Sequence, residues 1–158
     1  MLLKGLGGAL LIGLSVAYCA SCAARWQTAR RKLCAFVTLL SFTRGHISCF
    51  GTPLSDILEK APPGLLEDIV GAPAHRPIDF SSLCLCTEDL PDEARRLLGA
   101  LSDEIGTIWR QEQLERLGYY IDALEKEKTA FCSALPSRLR LHGTLSLCGA
   151  LALILLIW

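Results

Sequence analysis

Eight cysteines and three histidines are the residues of this chain that could bind a metal or carry redox chemistry. Cys84 and Cys86 form a C-x-C pair, and Cys19 and Cys22 form a C-x-x-C pair. A structural zinc site takes four such ligands, and neither pair has further ligands at a suitable spacing. We therefore expect no metal site and no cofactor, and we interpret most of the cysteines as small buried apolar residues. The alternative is a cysteine-based redox or metal-binding membrane protein.

The acidic residues include four adjacent pairs, a second arrangement that could do chemistry. The pairs are Glu67–Asp68, Glu88–Asp89, Asp92–Glu93 and Asp103–Glu104. Adjacent residues on a helix do not face each other, so the pairs do not predict a general acid beside a general base. The chain also carries no glycine-rich phosphate loop, no G-x-S-x-G and no H-E-x-x-H. We predict that the protein is not an enzyme and has no catalytic residue.

Two stretches without charged residues predict membrane segments at residues 5–24 and 143–158. At about 1.5 Å per residue the first covers roughly 30 Å, the thickness of a hydrocarbon core. The second covers only about 24 Å and is extended by the residues before it. For the first segment, a secretory signal peptide or a lipoprotein cleaved before Cys19 or Cys22 are the alternatives. For the second, the alternative is a buried helix of a soluble protein.

The distribution of charge predicts the orientation in the membrane. All sixteen acidic residues lie between Asp56 and Glu127. Basic residues flank both apolar segments on the inner side: Arg25, Arg30, Arg31, Lys32, Arg138 and Arg140. Because loops rich in Lys and Arg stay cytoplasmic, we expect residues 25–142 in the cytoplasm and both termini outside. The net formal charge of zero gives no support to a nucleic-acid partner.

Two heptad seams predict long helices at both ends of the middle region. The first seam is Trp26, Ala29, Leu33, Phe36, Leu40, Thr43, Ile47 and Phe50, and the second is Leu114, Leu117, Ile121, Leu124, Lys128, Phe131 and Leu135. Alternating spacings of 3 and 4 are typical of helices that pack along one face. We therefore predict an all-α fold: a membrane-anchored antiparallel helical bundle whose long first and last helices continue into the terminal transmembrane segments. Alternatively, each seam serves a partner chain, which allows a homo-oligomer.

Short helices are expected between the two long ones. Thr52 before Pro53 predicts a helix start, and we expect this helix to reach about Lys60. A second short helix is predicted over residues 64–70, and a loop over residues 72–86. Thr87 predicts the cap of a further helix that starts near residue 89. Pro136 is expected to kink or end the last helix.

Four features in this order resemble the stage III sporulation protein AB family of endospore-forming bacteria, over nearly the full length of the chain. The N-terminal segment MLLKGLGGALLIGLSVAYCASCAARWQTARRKL is similar to the membrane start of that family. Residues 47–58, ISCFGTPLSDIL, are similar to a family element that contains G-TPL, and residues 101–113 to an element that ends in glutamine. A charged helix over residues 114–131 then leads to the C-terminal apolar segment.

The resemblance implies a function without catalysis. The family's cytoplasmic domain is similar to the inner-membrane platform proteins of type II secretion machines. Its members belong to a channel between mother cell and forespore, in the mother-cell membrane, and a motor ATPase and other channel subunits are the implied partners. As the candidate docking surface we predict two helix junctions far from the membrane anchors: Thr52, Pro53, Leu54, Ile105, Gly106 and Gln113.

Overall fold

A computed structural model describes residues 2–71, 79–105 and 109–157 of the chain, and within these ranges all regular structure is helical. Six α-helices and one short 3₁₀-helix follow one another. They are α1 (Leu2–Phe50), α2 (Leu54–Lys60), α3 (Pro63–Val70), α4 (Phe80–Cys84), the 3₁₀-helix (Leu85–Thr87), α5 (Asp92–Glu104) and α6 (Arg110–Ile157). The all-α prediction is therefore confirmed for the described residues, and so is the long, apolar first helix.

The chain divides into two compact units. Unit 1 comprises Met1–Gln27 and Cys132–Trp158, and unit 2 comprises Thr28–Phe131. These units are defined by packing, whereas the predicted segments 5–24, 25–142 and 143–158 are defined by hydropathy and charge. The segment boundaries therefore remain predictions.

The first predicted seam is buried in unit 2. Its enclosed members are Ala29, Leu33, Phe36, Leu40, Thr43 and Ile47. Thr43, the polar member, donates its hydroxyl to the carbonyl oxygen of Leu39 at 2.8 Å, so its burial leaves no unsatisfied group. The prediction was wrong for Phe50, which is 76% exposed because α1 ends at this residue and the chain turns away.

More of α1 is buried than one seam can account for. Ala35, Val37 and Leu39, which lie beside the seam, are also enclosed. A helix that is apolar on several faces must have neighbours on several sides. Each fully buried side chain of this kind stabilises the fold by about 1.5–3 kcal/mol relative to exposure. The α1 part of unit 2 is therefore the centre of its core.

The second predicted seam is also confirmed in part. Leu117, Ile121 and Leu124 of α6 are buried, and Leu114 is half-buried. Pro136 does not end the helix, because α6 continues to Ile157. Proline removes one backbone donor but is tolerated inside a long helix when the remaining hydrogen bonds hold the turns on either side.

Two predictions for the short elements are corrected and a third is confirmed. Residues 80–86 of the predicted loop, together with Thr87, form α4 and the 3₁₀-helix, because Phe80, Leu83 and Thr87 are buried. Residues 72–78 of that loop lie outside the described ranges. Thr87 does not cap α5: its hydroxyl donates to the Cys84 carbonyl oxygen at 2.7 Å, and α5 begins after Pro91. The helix predicted over residues 64–70 is confirmed within one residue.

A buried lysine ties α1 to the segment before α5. Lys32 is 8% exposed, and its Nζ lies 2.8 Å from Asp89 Oδ2 and 3.3 Å from the carbonyl oxygen of Cys86. A buried ammonium is tolerated only when it is paired and hydrogen-bonded. This interaction therefore fixes where the connection to α5 crosses α1.

Unit 1 contains the first part of α1 and the last part of α6. Ser15 and Ser146 form a hydrogen bond between their hydroxyl oxygens at 2.6 Å, which joins the two segments. Several of the unit's large apolar side chains are exposed, and these are Leu14, Val16, Tyr18, Leu141 and Leu145. Among the described residues, the segment Gly13–Phe50 is long and apolar enough to cross a membrane, a criterion that buried core helices and signal sequences also meet.

We predict that Asp89→Asn lowers the free energy of unfolding by about 2 kcal/mol, because it leaves the buried Lys32 ammonium without its counter-charge. Lys32→Met should lower the free energy of unfolding by less, since the apolar stem is kept and no buried charge remains. Thermal unfolding of the purified chain in detergent, followed by circular dichroism, measures both.

Asp92→Asn is the matched control, because the side chain of Asp92 is fully exposed and its pair with Arg95 is 3.5 Å long. It should change stability much less than Asp89→Asn. Equal losses for the two variants would show that the Lys32 pair contributes nothing beyond a surface ion pair.

Candidate docking site

The C-terminus of α1 is closed by a glycine in the left-handed conformation. Gly51 has φ +62° and donates its N–H to the carbonyl oxygen of Ile47 at 3.2 Å. Glycine adopts this conformation without the steric penalty of a Cβ, which is why it is common directly after a helix. The turn at Gly51 directs the chain into Thr52, Pro53 and α2.

Arg110, the first residue of α6, binds the same end of α1. Its Nε donates to the carbonyl oxygen of Ile47 at 3.1 Å and its Nη2 to that of Ser48 at 2.8 Å. The last four carbonyl groups of a helix have no partner within it, and a cation there also interacts favourably with the helix dipole. The guanidinium therefore both caps α1 and joins the start of α6 to it.

The guanidinium of Arg110 lies close to the position that a side chain at residue 51 would occupy. A Cβ at residue 51 would lie 3.3 Å from Arg110 Nη1. This distance is tighter than an ordinary van der Waals contact, so a side chain there would require the guanidinium to shift by a few tenths of an ångström. Glycine therefore suits this position by its φ angle and also leaves room for the guanidinium.

A cavity of about 290 Å³ lies in unit 2 where these elements meet, and we call it the α1-end pocket. It is lined by Ile47, Gly51, Thr52, Pro53, Leu54, Arg110 and Gln113. Ligand pockets for small molecules start at roughly 300 Å³, so this volume suits one or two protein side chains. The lining combines three apolar side chains with a hydroxyl, an amide and a guanidinium.

Four of the six predicted docking residues line this pocket: Thr52, Pro53, Leu54 and Gln113. Ile105 does not line it and instead follows the last turn of α5, where its N–H donates to the Leu101 carbonyl oxygen at 2.9 Å. Gly106 lies outside the described residues. The predicted cap is also corrected, because α2 has Pro53 at its N-cap position and no side-chain cap from Thr52.

Three lining residues were missed by the sequence prediction. Gly51 had a usable signal, since a glycine directly after a periodic apolar segment marks a helix end. Ile47 was assigned to the buried seam, and its edge faces the pocket as well. No local sequence pattern indicates that Arg110 caps α1, because its partners lie 62 and 63 residues earlier in the chain.

Two exposed aromatic residues adjoin the lining. Phe50 precedes Gly51 and is 76% exposed, and Trp109 precedes Arg110 and is 88% exposed. Aromatic residues and arginine are enriched at protein interfaces. The pocket and its neighbours therefore have the composition of a protein-binding surface.

The cysteines of the described chain are all free thiols. Burial raises the pKa of Cys84 to about 11, and its Sγ lies 3.6 Å from the carbonyl oxygen of Leu98. A thiol with this pKa is almost wholly protonated near pH 7 and is a poor nucleophile and metal ligand. In the part of the chain that is described, His, Cys, Asp and Glu form no group of three that could hold a metal ion.

Comparison of the chain with family models, with curated proteins and with solved structures finds no match. The resemblance to the sporulation family therefore stays a prediction that depends on the residues quoted for it. The geometry of the α1-end pocket bears on function independently of that resemblance.

We expect Gly51→Ala to lower the free energy of unfolding by about 2–3 kcal/mol. About 1–2 kcal/mol comes from the left-handed backbone and the rest from displacing Arg110. Thermal unfolding in detergent measures the loss, and Arg110→Ala should produce a loss similar to the second part.

Gly71→Ala is the matched control, since Gly71 has φ +77° after α3 but nothing lies within 4 Å of an added Cβ. It should lower the free energy of unfolding only by the backbone part, about 1–2 kcal/mol. A loss for Gly51→Ala no larger than that for Gly71→Ala would contradict the close approach of Arg110.

Proposed function

We propose that this protein is a non-enzymatic platform subunit of a sporulation channel between mother cell and forespore. In this proposal, unit 2 lies in the cytoplasm and docks a motor ATPase, and the two apolar segments anchor the chain in the membrane with both termini outside. The α1-end pocket is the observation that carries the docking function. The sporulation context and the identity of the ATPase come from the family resemblance alone.

The pocket supports docking because it gathers residues from two helix junctions that are distant in sequence. Thr52, Pro53 and Leu54 come from the turn between α1 and α2, and Gln113 comes from the first turn of α6. Apolar walls with a few polar groups suit insertion of a partner side chain in a defined orientation. Phe50 and Trp109, which precede Gly51 and Arg110 in the chain, are exposed and available to the same partner.

A membrane-anchored antiparallel bundle is supported by contacts between α1 and α6. In unit 2, Arg110 at the start of α6 binds the end of α1, and Arg44 lies 3.4 Å from the Cβ position of Gly118. In unit 1, Ser15 is hydrogen-bonded to Ser146. Within unit 2, the contacts move from residues 47 and 48 to residue 44 of α1 as they move from residue 110 to residue 118 of α6, which supports antiparallel pairing of the two helices in this unit.

The membrane location is supported by the surface of unit 1. Exposed leucine, valine and tyrosine side chains are unfavourable in water and favourable in a bilayer. A hydroxyl pair such as Ser15–Ser146 satisfies both polar groups where water is absent. Basic residues on the inner side of both segments favour a cytoplasmic unit 2.

The orientation predicts which parts of the chain an impermeant maleimide reaches in intact cells. In a cysteine-free variant, Glu88→Cys should react only after lysis, and a cysteine added at either terminus should react before it. Residue 88 is exposed in unit 2, so its protection would reflect the membrane rather than burial. Labelling of residue 88 from outside would contradict the cytoplasmic placement and the docked motor with it.

The docking proposal predicts that Gln113→Ala lowers co-purification of the motor ATPase with the full chain about tenfold, because a central polar contact in a desolvated pocket is lost. Gln111→Ala is the matched control, since Gln111 is exposed on the same helix turn and does not line the pocket. Equal recruitment by the two variants would exclude the pocket as the docking site. Absence of the ATPase from the unsubstituted chain would exclude the proposed function.

A further inference from the structure

The charge that borders the α1-end pocket is positive. Arg110 is the single charged residue among the described side chains that line it, and none of its neighbours in the lining is acidic. The first turn of α6 adds the positive end of a helix dipole at the same place. The acid of that turn, Glu112, is engaged with Arg116, whose Nη2 lies 3.5 Å from Glu112 Oε1.

Arg110 retains hydrogen-bonding capacity after capping α1. A guanidinium carries five N–H donors in a planar fork, and the two bonds to Ile47 and Ser48 use Nε and Nη2. Nη1 lies on the side of Gly51, another lining residue. A carboxylate is the group that matches the remaining donors, since arginine and carboxylate pair in charge and in planar geometry.

The apolar side chains of the lining favour an occupant that carries an apolar group beside its carboxylate. Ile47, Pro53 and Leu54 offer an apolar wall within the same 290 Å³ that Arg110 borders. Phe50 and Trp109 precede the lining residues Gly51 and Arg110 in the chain, and both are exposed. An occupant must therefore carry an apolar side chain close to its carboxylate, and both groups must come from one short segment.

We propose that the α1-end pocket binds a short acidic segment of a partner protein. An aspartate or glutamate of that segment pairs with Arg110, and an apolar side chain within about one helical turn of it packs on Ile47, Pro53 and Leu54. Phe50 and Trp109 cover the segment from the sides. The inference rests on the proposed function only for the identity of the partner, and the chemistry of the segment follows from the pocket.

The test is photo-crosslinking of the full chain in cells, with p-benzoyl-phenylalanine in place of Phe50. This exchange of one exposed aromatic side chain for another leaves the core unchanged. The same residue in place of Tyr119, which is 66% exposed and outside the lining, is the control position. Mass spectrometry of the crosslinked peptide identifies both the partner and the residues that touch the pocket.

The expected peptide contains Asp or Glu within about four residues of Leu, Ile, Met or Phe, and it is crosslinked from position 50 but not from position 119. Arg110→Gln should lower the yield about tenfold, because a charge-assisted hydrogen bond is lost. Arg110→Lys should lower it less than threefold, since the positive charge is kept. Both variants lose the fork that caps α1, so equal losses would mean that Arg110 acts only on the fold, and the inference would be wrong.

The remaining outcomes separate this inference from the proposed function. A crosslinked segment without a carboxylate, or no crosslink above the level of position 119, overturns the inference even when the motor ATPase co-purifies. An acidic segment from a different protein supports the inference and overturns the docked ATPase. An acidic segment from the ATPase supports both.

Discussion

The termination of α1 is the constraint on which the rest of unit 2 depends. A helix of 49 residues ends with carbonyl groups that no later turn can satisfy, and the chain must reverse there to cover the buried seam. Gly51 supplies the reversal and one donor, and Arg110 supplies two more from the start of α6. The pocket lies between the groups that end one long helix and begin the other.

Because α1 is buried on several faces, its polar side-chain atoms must also find hydrogen-bond partners. The short elements α2 to α5 must pack around it without leaving its polar atoms unpaired. Thr43 meets this requirement within the helix, and Lys32 meets it by pairing with Asp89. Among the described residues no buried side-chain nitrogen or oxygen lacks a hydrogen-bond partner, so unit 2 gains its core without an unsatisfied polar group.

The size of the pocket limits how it can work. A stable interface buries about 1,600 Å² in total, far more than a cavity of this volume provides. The pocket can therefore hold an anchoring side chain, while Phe50 and Trp109 supply much of the surrounding area.

The sequence by itself determined the helical class, the long first helix, most of the buried seam residues and the short helix over residues 64–70, because these follow from apolar periodicity and from glycine and proline along the chain. It also predicted Thr52, Pro53, Leu54 and Gln113 as docking residues, and these four line one pocket. Only the tertiary structure decided that Phe50 is exposed, that residues 80–87 are helical and that Arg110 caps α1. Those features depend on contacts between residues far apart in the chain, and local propensity carries no information about which distant group will satisfy a helix end or bury a short segment.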